Sequence, residues 1–336
     1  MSFDAFDHRC MTRALALARK GLYTTHPNPR VGCVIARNGQ VVGSGWHQKA
    51  GNAHAEVNAL QEAGDKAKGG TAYVTLEPCS HTGRTPPCVD ALLRAGIARV
   101  VYAVDDPNPS VSGGQRLRQA GVEVRSGLMA AQAERLNCGF LKRMRHGRPW
   151  VRIKLAQSMD GHIALANGSS QWIRGPEARL DVQHWRARSD AILTGIGTVL
   201  ADDPSLNVRN VDFPRQPARV ILDSHWRMPV GARLLGLPGE VMIAGLEEEP
   251  VPEILDKTAA ECMAFPARDK RVDAGEVLDE LGARGFNEVQ VEAGATLCGT
   301  LLQQGLVYEL LIYQAPVILG GGAVSPFAVP RLDNMD

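Results

Sequence analysis

The sequence predicts an α/β protein of two domains, and three observations carry that expectation. Short β-branched runs alternate with amphipathic helical stretches, the order that builds a partly parallel sheet covered by helices. The 336 residues exceed what one hydrophobic core usually organises. The pattern also stops and restarts once, at "RHGRPW" (Arg145 to Trp150), where a basic helix end is followed by Gly147 and Pro149. The expected domains are therefore 1–147 and 148–336.

In the first domain an amphipathic helix spans about Phe6 to Lys20. Two apolar runs, "VGCVIA" and "VVGSGWH", follow, and Asn38-Gly39 between them supplies the left-handed conformations of a tight hairpin turn. A helix from about His54 to Ala63 precedes the strand "TAYVTLE", and a helix from about Cys88 to Ala95 follows it. "ARVVYAV" and "VEVRSG" read as strands, and Ala130 to Met144 as one long helix. In the second domain Val151, Ile153 and Leu155 alternate as a strand does. Pro176 suits the first position of a helix over "GPEARLDVQHWRAR". "DAILTGIG", "ARVILDS", "EVMIAG", "NEVQVEAG" and "YELLIYQAPVI" read as strands, several ending in glycine, and "LEEEPVP" as a loop.

Composition narrows the function. Net charge is +1, from 37 basic and 36 acidic residues, which leaves no electrostatic footprint for nucleic acid. The basic run Lys142, Arg143, Arg145 and Arg148 reads as a solvated helix end. No apolar stretch has the length of a membrane span, and the N-terminus lacks a signal-peptide core. Seven cysteines are an odd number for a disulfide framework. Cys10, Cys33, Cys138, Cys262 and Cys298 lie in apolar or mixed runs and are expected as buried thiols. The expectation is a reduced, cytoplasmic protein.

Two cysteines remain, in "TLEPCSHTGRTPPC" (Thr75 to Cys88), and upstream lies "GNAHAEVNAL" with His54 and Glu56. A catalytic zinc takes three protein ligands and keeps one position open. His54, Cys79 and Cys88 provide three. Zinc deaminases carry H-x-E followed by P-C-x-x-C, the glutamate moving protons and not binding metal. Here Pro78-Cys79 matches, but the second cysteine comes nine positions later. Residues two apart on a helix point about 200° from one another, so His54 and Glu56 are expected at a first turn, one on the metal and one leaning over its open position. Cys79 and Cys88 are each expected to open a short helix.

In series, "HPNPRVGCVI" (His26 to Ile35), "HAE" (His54 to Glu56), "EPCSHTGRTPPC" (Glu77 to Cys88) and "DDPNP" (Asp105 to Pro109) resemble the bacterial bifunctional riboflavin-biosynthesis deaminase/reductase family. "KLAQSMDGHIA", "SSQWI", "RARSDAILTGIGTVLADDPSLNVR", "ARVILDS" and "VEAGATL" extend the resemblance over nearly the whole chain. It implies a cytidine-deaminase-like domain followed by a dihydrofolate-reductase-like domain. The first would deaminate a phosphoribosylated diaminopyrimidinone with Zn2+. The second would reduce the product's ribosyl side chain to ribityl with NADPH.

By that resemblance His54, Cys79 and Cys88 hold zinc, Glu56 carries the proton, and Asn28, His47, His81, Arg84 and Asn108 touch the first substrate. NADPH contacts fall on Ala156, Trp172, Thr198, Asp202, Ser224 and the loop Gly294, Ala295, Thr296, Leu297, Cys298, Gly299 and Thr300. Contacts to the second substrate fall on Ser170, Arg186, Leu206, Arg209 and Glu292. A homo-oligomer through the reductase domain is also implied, with small pyrimidines as partners and neither nucleic acid nor membrane. The chain departs from the family after "DDPNPSV", where "SGGQRLRQAG" makes a shorter turn, and at "FAVPRLDNMD", after which the family usually adds a closing strand of the reductase sheet. The expectation is one strand fewer there. The competing readings are a zinc-stabilised scaffold without chemistry, and a deaminase acting alone on a nucleotide or nucleic-acid base beside an inactive or regulatory second domain.

Overall fold

The computed structural model describes residues 3–80, 86–169, 175–210, 213 and 215–330. Its internal contacts divide it into two compact units, Met1–His146 and Gly147–Asp336. Among the described residues no helix is long and apolar enough to cross a membrane.

The first unit opens with helix α1 (Ala5–Arg19), started by a reciprocal cap in which the Asp7 N–H donates to Asp4 and the Asp4 N–H to Asp7. Strands β1 (Gly32–Arg37) and β2 (Gln40–Trp46) pair antiparallel across Asn38 and Gly39, both at positive φ. Then come α2 (Ala55–Ala63), β3 (Thr71–Val74), α3 (Cys88–Arg94), β4 (Arg99–Tyr102), α4 (Gly113–Gln119), β5 (Glu123–Ser126), α5 (Ala130–Leu136) and α6 (Cys138–His146). The sheet order is β2-β1-β3-β4-β5, with β3, β4 and β5 mutually parallel. Successive residues of β1 serve opposite faces. Cys33 and Ile35 pack with Ala55 and Ala59 of α2, while Val34 and Ala36 pack with Met11 and Ala14 of α1. The helix expected over 130–144 is two helices. Asn137, buried, spends its side chain on the Arg30 backbone, accepting from Arg30 N–H at 2.8 Å and donating to Arg30 C=O at 2.9 Å, and its own backbone leaves the helical region.

The second unit runs β6 (Trp150–Gln157), α7 (Pro176–Arg188), β7 (Ala191–Gly195), α8 (Ile196–Asp202), β8 (Ala218–Leu222), β9 (Val241–Leu246), β10 (Glu261–Phe265), β11 (Ala267–Arg268), β12 (Arg271–Val272), α9 (Ala274–Ala283), β13 (Glu288–Val291), α10 (Ala295–Gln303) and β14 (Glu309–Gln314). The larger sheet has the order β10-β9-β8-β7-β13-β6-β14, and every pairing in it is parallel. From β7 the chain steps outward through β8, β9 and β10, then returns to place β13 on the other side of β7. That reversal opens a crevice at the strands' carboxyl ends, where such sheets bind ligands.

Several expectations shift. "DAILTGIG" leaves the sheet at Gly195, because Ile196 begins α8, and "YELLIYQAPVI" is strand only to Gln314. The stretch expected as a loop after Gly294 is the helix α10, entered from Gly294 in extended conformation. Cys138 and Cys262 are half-buried, not buried.

Candidate active sites

In the first unit, His54 caps α2 without belonging to it. Its backbone is extended (φ −74°, ψ 165°), so the helical step that would set it against Glu56 does not apply. Cys79 lies in the irregular segment after β3, not at a helix start as expected, whereas Cys88 is the first residue of α3. The start of α3 pins the two together: the Cys88 N–H donates to the Cys79 sulfur at 3.2 Å and the Val89 N–H to the Cys79 carbonyl at 3.2 Å. The three donor atoms form a small triangle. His54 Nδ1 is 3.0 Å from Cys88 Sγ and 3.5 Å from Cys79 Sγ, and the sulfurs are 3.3 Å apart. With Zn–S of about 2.3 Å and Zn–N of about 2.0 Å, a tetrahedral ion needs donors roughly 3.5–3.8 Å apart. The triangle is within about half an ångström of that on its two shorter sides and matches it on the third, so the residues fit zinc.

The electrostatics agree with the donor set. Hydrogen bonding from Cys88, and then from His54, holds the Cys79 thiol down to about 4, while the proton shared with Cys79, and burial, push Cys88 up. Glu56 is 3% exposed, and burial, with the nearby Cys79 charge, raises its carboxyl to about 7. His47 stands edge-on to His54, ring centroids 5.3 Å apart. Its Nδ1 faces the Ala53 carbonyl at 3.2 Å and its Nε2 faces Asn28 Nδ2 at 3.1 Å. One nitrogen donates and the other accepts, so the ring is neutral, and burial lowers its pKa accordingly. Asn28 and His47 are thus joined to the His54 side of the triangle. His81 and Arg84 lie outside the described residues.

Asn108 sits on a loop tied to the Cys79 segment by a residue sequence reasoning passed over. Glu77 accepts from Gly114 N–H at 2.8 Å and from Asp106 N–H at 3.3 Å, and Ser80 Oγ accepts from Ser112 N–H at 2.9 Å. Gly113 packs so tightly on Pro78 that a β-carbon there would meet its carbonyl oxygen at 1.8 Å.

In the second unit a cleft of about 1470 Å³ follows the carboxyl edge of the sheet. Arg186 and Glu292 meet at its reversal point in a bidentate pair, 2.7 and 2.9 Å, with Lys154 Nζ 4.0 Å from Glu292. Burial opposes ionisation of Glu292, but Arg186 and Lys154 overcome it and hold the carboxyl well below its ordinary range. The built β-carbons of Gly197 and Gly294 meet nothing within 4 Å, which leaves backbone open to a phosphate. The shape, and the exposed backbone at two strand-to-helix turns, fit a dinucleotide.

Two family models match the chain: the cytidine and deoxycytidylate deaminase zinc-binding region over residues 4–104, and the RibD C-terminal domain over residues 149–334. The riboflavin biosynthesis protein RibD of Escherichia coli is 50% identical, covering 98% of this chain and 93% of that protein. Among solved structures, Acinetobacter baumannii RibD superposes with a TM-score of 0.89 at 46% identity, covering 98% of this chain and 92% of that one. The Thermotoga maritima diaminohydroxyphosphoribosylaminopyrimidine deaminase/5-amino-6-(5-phosphoribosylamino)uracil reductase gives 0.85 at 33% identity, covering 96% and 90%. The chain belongs to the RibD family. It is a bifunctional deaminase and reductase of riboflavin biosynthesis that acts on small pyrimidines, with zinc in the first unit and NADPH as the cofactor of the second.

For a RibD family member, the residues expected around NADPH divide cleanly. Ala156, Thr198, Asp202 and Ser224 line the cleft, as do Gly294, Ala295, Thr296, Leu297 and Thr300. Cys298 and Gly299 do not, because α10 turns them inward: Cys298 is fully buried in the core, and a β-carbon on Gly299 would meet Ala328 O at 2.4 Å. Of the expected substrate contacts, Arg186, Leu206, Arg209 and Glu292 line the cleft, although the Arg186 fork is spent on Glu292. Ser170 and Trp172 lie outside the described residues. Lys154 was missed: it alternates along β6 like any strand residue, and nothing local marks it.

Proposed function

We propose that the first unit deaminates a 2,5-diamino-6-(5-phosphoribosylamino)pyrimidinone and that the second reduces the resulting 5-amino-6-(5-phosphoribosylamino)uracil at its ribosyl carbon. The observation that carries the reading is the triangle of His54, Cys79 and Cys88 with the buried carboxylate of Glu56 beside it. Zinc, when bound there, supplies the Lewis acidity that readies water as a nucleophile near neutral pH. Glu56 takes the proton from that water and hands it to the departing amine. Asn28 and His47, fixed to each other, and Asn108, His81 and Arg84 would hold the pyrimidine and its phosphoribosyl group. A scaffold role for the metal would leave Glu56 buried without use.

In the cleft NADPH supplies hydride. As the C1′–H bond forms, the sugar's C1′–O bond breaks and its oxygen takes a proton. Lys154, buried against Glu292, would give that proton, and Arg186 keeps Glu292 ionised and fixed. Ser170, Leu206 and Arg209 complete the substrate's surroundings, and Trp172 the cofactor's.

The test is sequential. With the diaminopyrimidinone alone the full chain should release one equivalent of ammonia, and NADPH added afterwards should be oxidised in equal amount. Deaminated product should support NADPH oxidation without ammonia. NADPH oxidation on the un-deaminated compound, or ammonia release that survives zinc chelation, overturns the assignment. The reading includes a cytoplasmic location, which the seven free cysteines favour. It also includes a homo-oligomer built through the second unit, supported by Leu310 and Ile312 exposed in a row on the edge strand β14 and checked by sedimentation.

A further inference from the structure

The loop that follows α8, "DPSLNVRN" (Asp203 to Asn210), forms one wall of the reductase cleft through Pro204, Ser205, Leu206 and Arg209. It takes a course that its residues do not favour. Asp203, Leu206 and Asn210 have φ of +40°, +46° and +62°, and none of them is glycine. Leucine in the left-handed region is a costly conformation. Such conformations persist only where the surroundings over-determine them, and they gather at functional sites.

Here side chains over-determine the loop. Four consecutive backbone groups are taken by residues from elsewhere in the unit. Arg186 Nη1 donates to the Asn207 carbonyl at 2.9 Å. Gln216 accepts from the Val208 N–H at 2.7 Å and donates to the Val208 carbonyl at 3.0 Å, satisfying both groups as a neighbouring strand would. Gln183, buried on α7, accepts from the Arg209 N–H at 3.1 Å. Neither glutamine lines the cleft, so what they contribute reaches a substrate only through the loop. The Arg186 guanidinium that holds Asn207 is the one paired with Glu292, which fixes this part of the loop relative to the reaction centre. Two residues on, Arg209 presents an exposed cation at the cleft, with Asn207 Oδ1 3.4 Å from its Nη1. A guanidinium so placed fits the phosphate of a ribosylated pyrimidine whose sugar carbon lies at Glu292.

We propose that Gln216 and Gln183 are positioning residues of the reductase, which hold Val208 and Arg209 by their backbones and so aim the Arg209 side chain at the substrate phosphate. This rests on the cleft being the reductase site, and the experiment separates the two ideas. NADPH oxidation by the full chain is measured with 5-amino-6-(5-phosphoribosylamino)uracil and with its dephosphorylated counterpart. Q216M keeps the side chain's length and loses both hydrogen bonds, while Q216E keeps the acceptor and loses the donor. Q216M should raise KM for the phosphorylated substrate by about tenfold, and Q216E and Q183M by less. KM for NADPH should not change, and kcat should fall less than KM rises. The preference for the phosphorylated form should drop to the same extent, and Q216M should add nothing to the drop already caused by R209M. Amide exchange at Val208 and Arg209 should quicken in Q216M without any substrate present. Unchanged exchange, equal losses on both forms of the substrate, or a drop in preference that adds to that of R209M overturns the proposal. If wild type oxidises no NADPH with either form, the reductase reading fails and the purpose of the loop with it, while faster exchange in Q216M still establishes the hold.

Discussion

Replacing Gly45 by alanine tests whether the deaminase site depends on the close seating of α2 on β2. Gly45 is buried on the strand face that receives α2, and a β-carbon there would lie 2.6 Å from Ala55 O and Ala59 N. Contacts of ordinary length begin near 3.4 Å, so α2 must withdraw by about 0.8 Å at its first turn. That turn follows His54 and carries Glu56. Metal ligands tolerate errors of roughly 0.2 Å, and a misplacement of about 1 Å near the chemistry costs on the order of a hundredfold. Overpacking should also destabilise the first unit by about 1–3 kcal/mol. Gly43 is the control. Its β-carbon would collide as hard, at 2.3 Å from Ala59 O, but further along the helix, against Ala59 and Ala63. Zinc content, ammonia release and NADPH oxidation with supplied deaminated product are measured for G45A and G43A. G45A should lose zinc affinity and about a hundredfold in deamination with reduction intact, while G43A loses comparable stability and less deamination. If G45A keeps zinc and releases ammonia within twofold of wild type, α2 does not hold the ligands by this packing and the reasoning fails.

E56Q should bind zinc like wild type, reduce normally, and lose about 10²–10⁴ in ammonia release; an active variant would remove Glu56 from the proton transfers. Chelating zinc should abolish deamination and leave reduction of supplied product unchanged, which separate assays of the treated full chain decide. E77A removes the acceptor that ties Gly114 and Asp106 to the Cys79 segment, so KM for the pyrimidine should rise severalfold at unchanged zinc content. R186M strands the buried Glu292 carboxylate and should destabilise the second unit by about 3–5 kcal/mol at pH 7. In wild type Glu292 is held low, so its pairing stabilises the fold above the unfolded carboxyl pKa, about 4.3, and that contribution is lost as pH falls through the folded value. Without Arg186 the burial that raises Glu292 is opposed only by Lys154 and Gln290, and acidification lets it take a proton at higher pH than in wild type. The deficit of R186M relative to wild type should therefore shrink between pH 7 and pH 4 in urea unfolding, and a constant deficit would show that the ion pair is not its cause.

Much of the first unit was legible because its signals are local. Asn38-Gly39 announces its turn by residue type, and β1 and α2 show their periods plainly. The zinc triangle could be read before any fold was known, since few residue types bind the metal and His54, Cys79 and Cys88 come with Pro78 and Glu56. The break at Asn137 was not legible. The residue reads as one polar position in a helix, and only its partner Arg30, 107 positions away, explains why the helix stops.

The second unit was read chiefly as strands, but its helix α9, strand β10 and the β11–β12 hairpin were not anticipated. "ECMAF" lacks the alternation of a strand, and the hairpin has no glycine or asparagine at its turn to announce it. Its site was less legible still, and for a chemical reason. A metal demands particular side chains, so its requirement is written into the sequence at short range. A dinucleotide is held largely by exposed backbone, by the carboxyl edge of a parallel sheet and by the spacing of its strands, which many residues satisfy. The side chains that matter there are assembled over long separations: Arg186 meets Glu292 across 106 positions, and Lys154 joins them from a strand whose pattern looks ordinary. Several of the strands end in glycine, and by sequence none of those glycines stands out from the others as a turn for phosphate. Only the reversal of strand order between β7 and β13, a property of the whole sheet, marks one crevice along the carboxyl edge as the place where such sheets bind ligands.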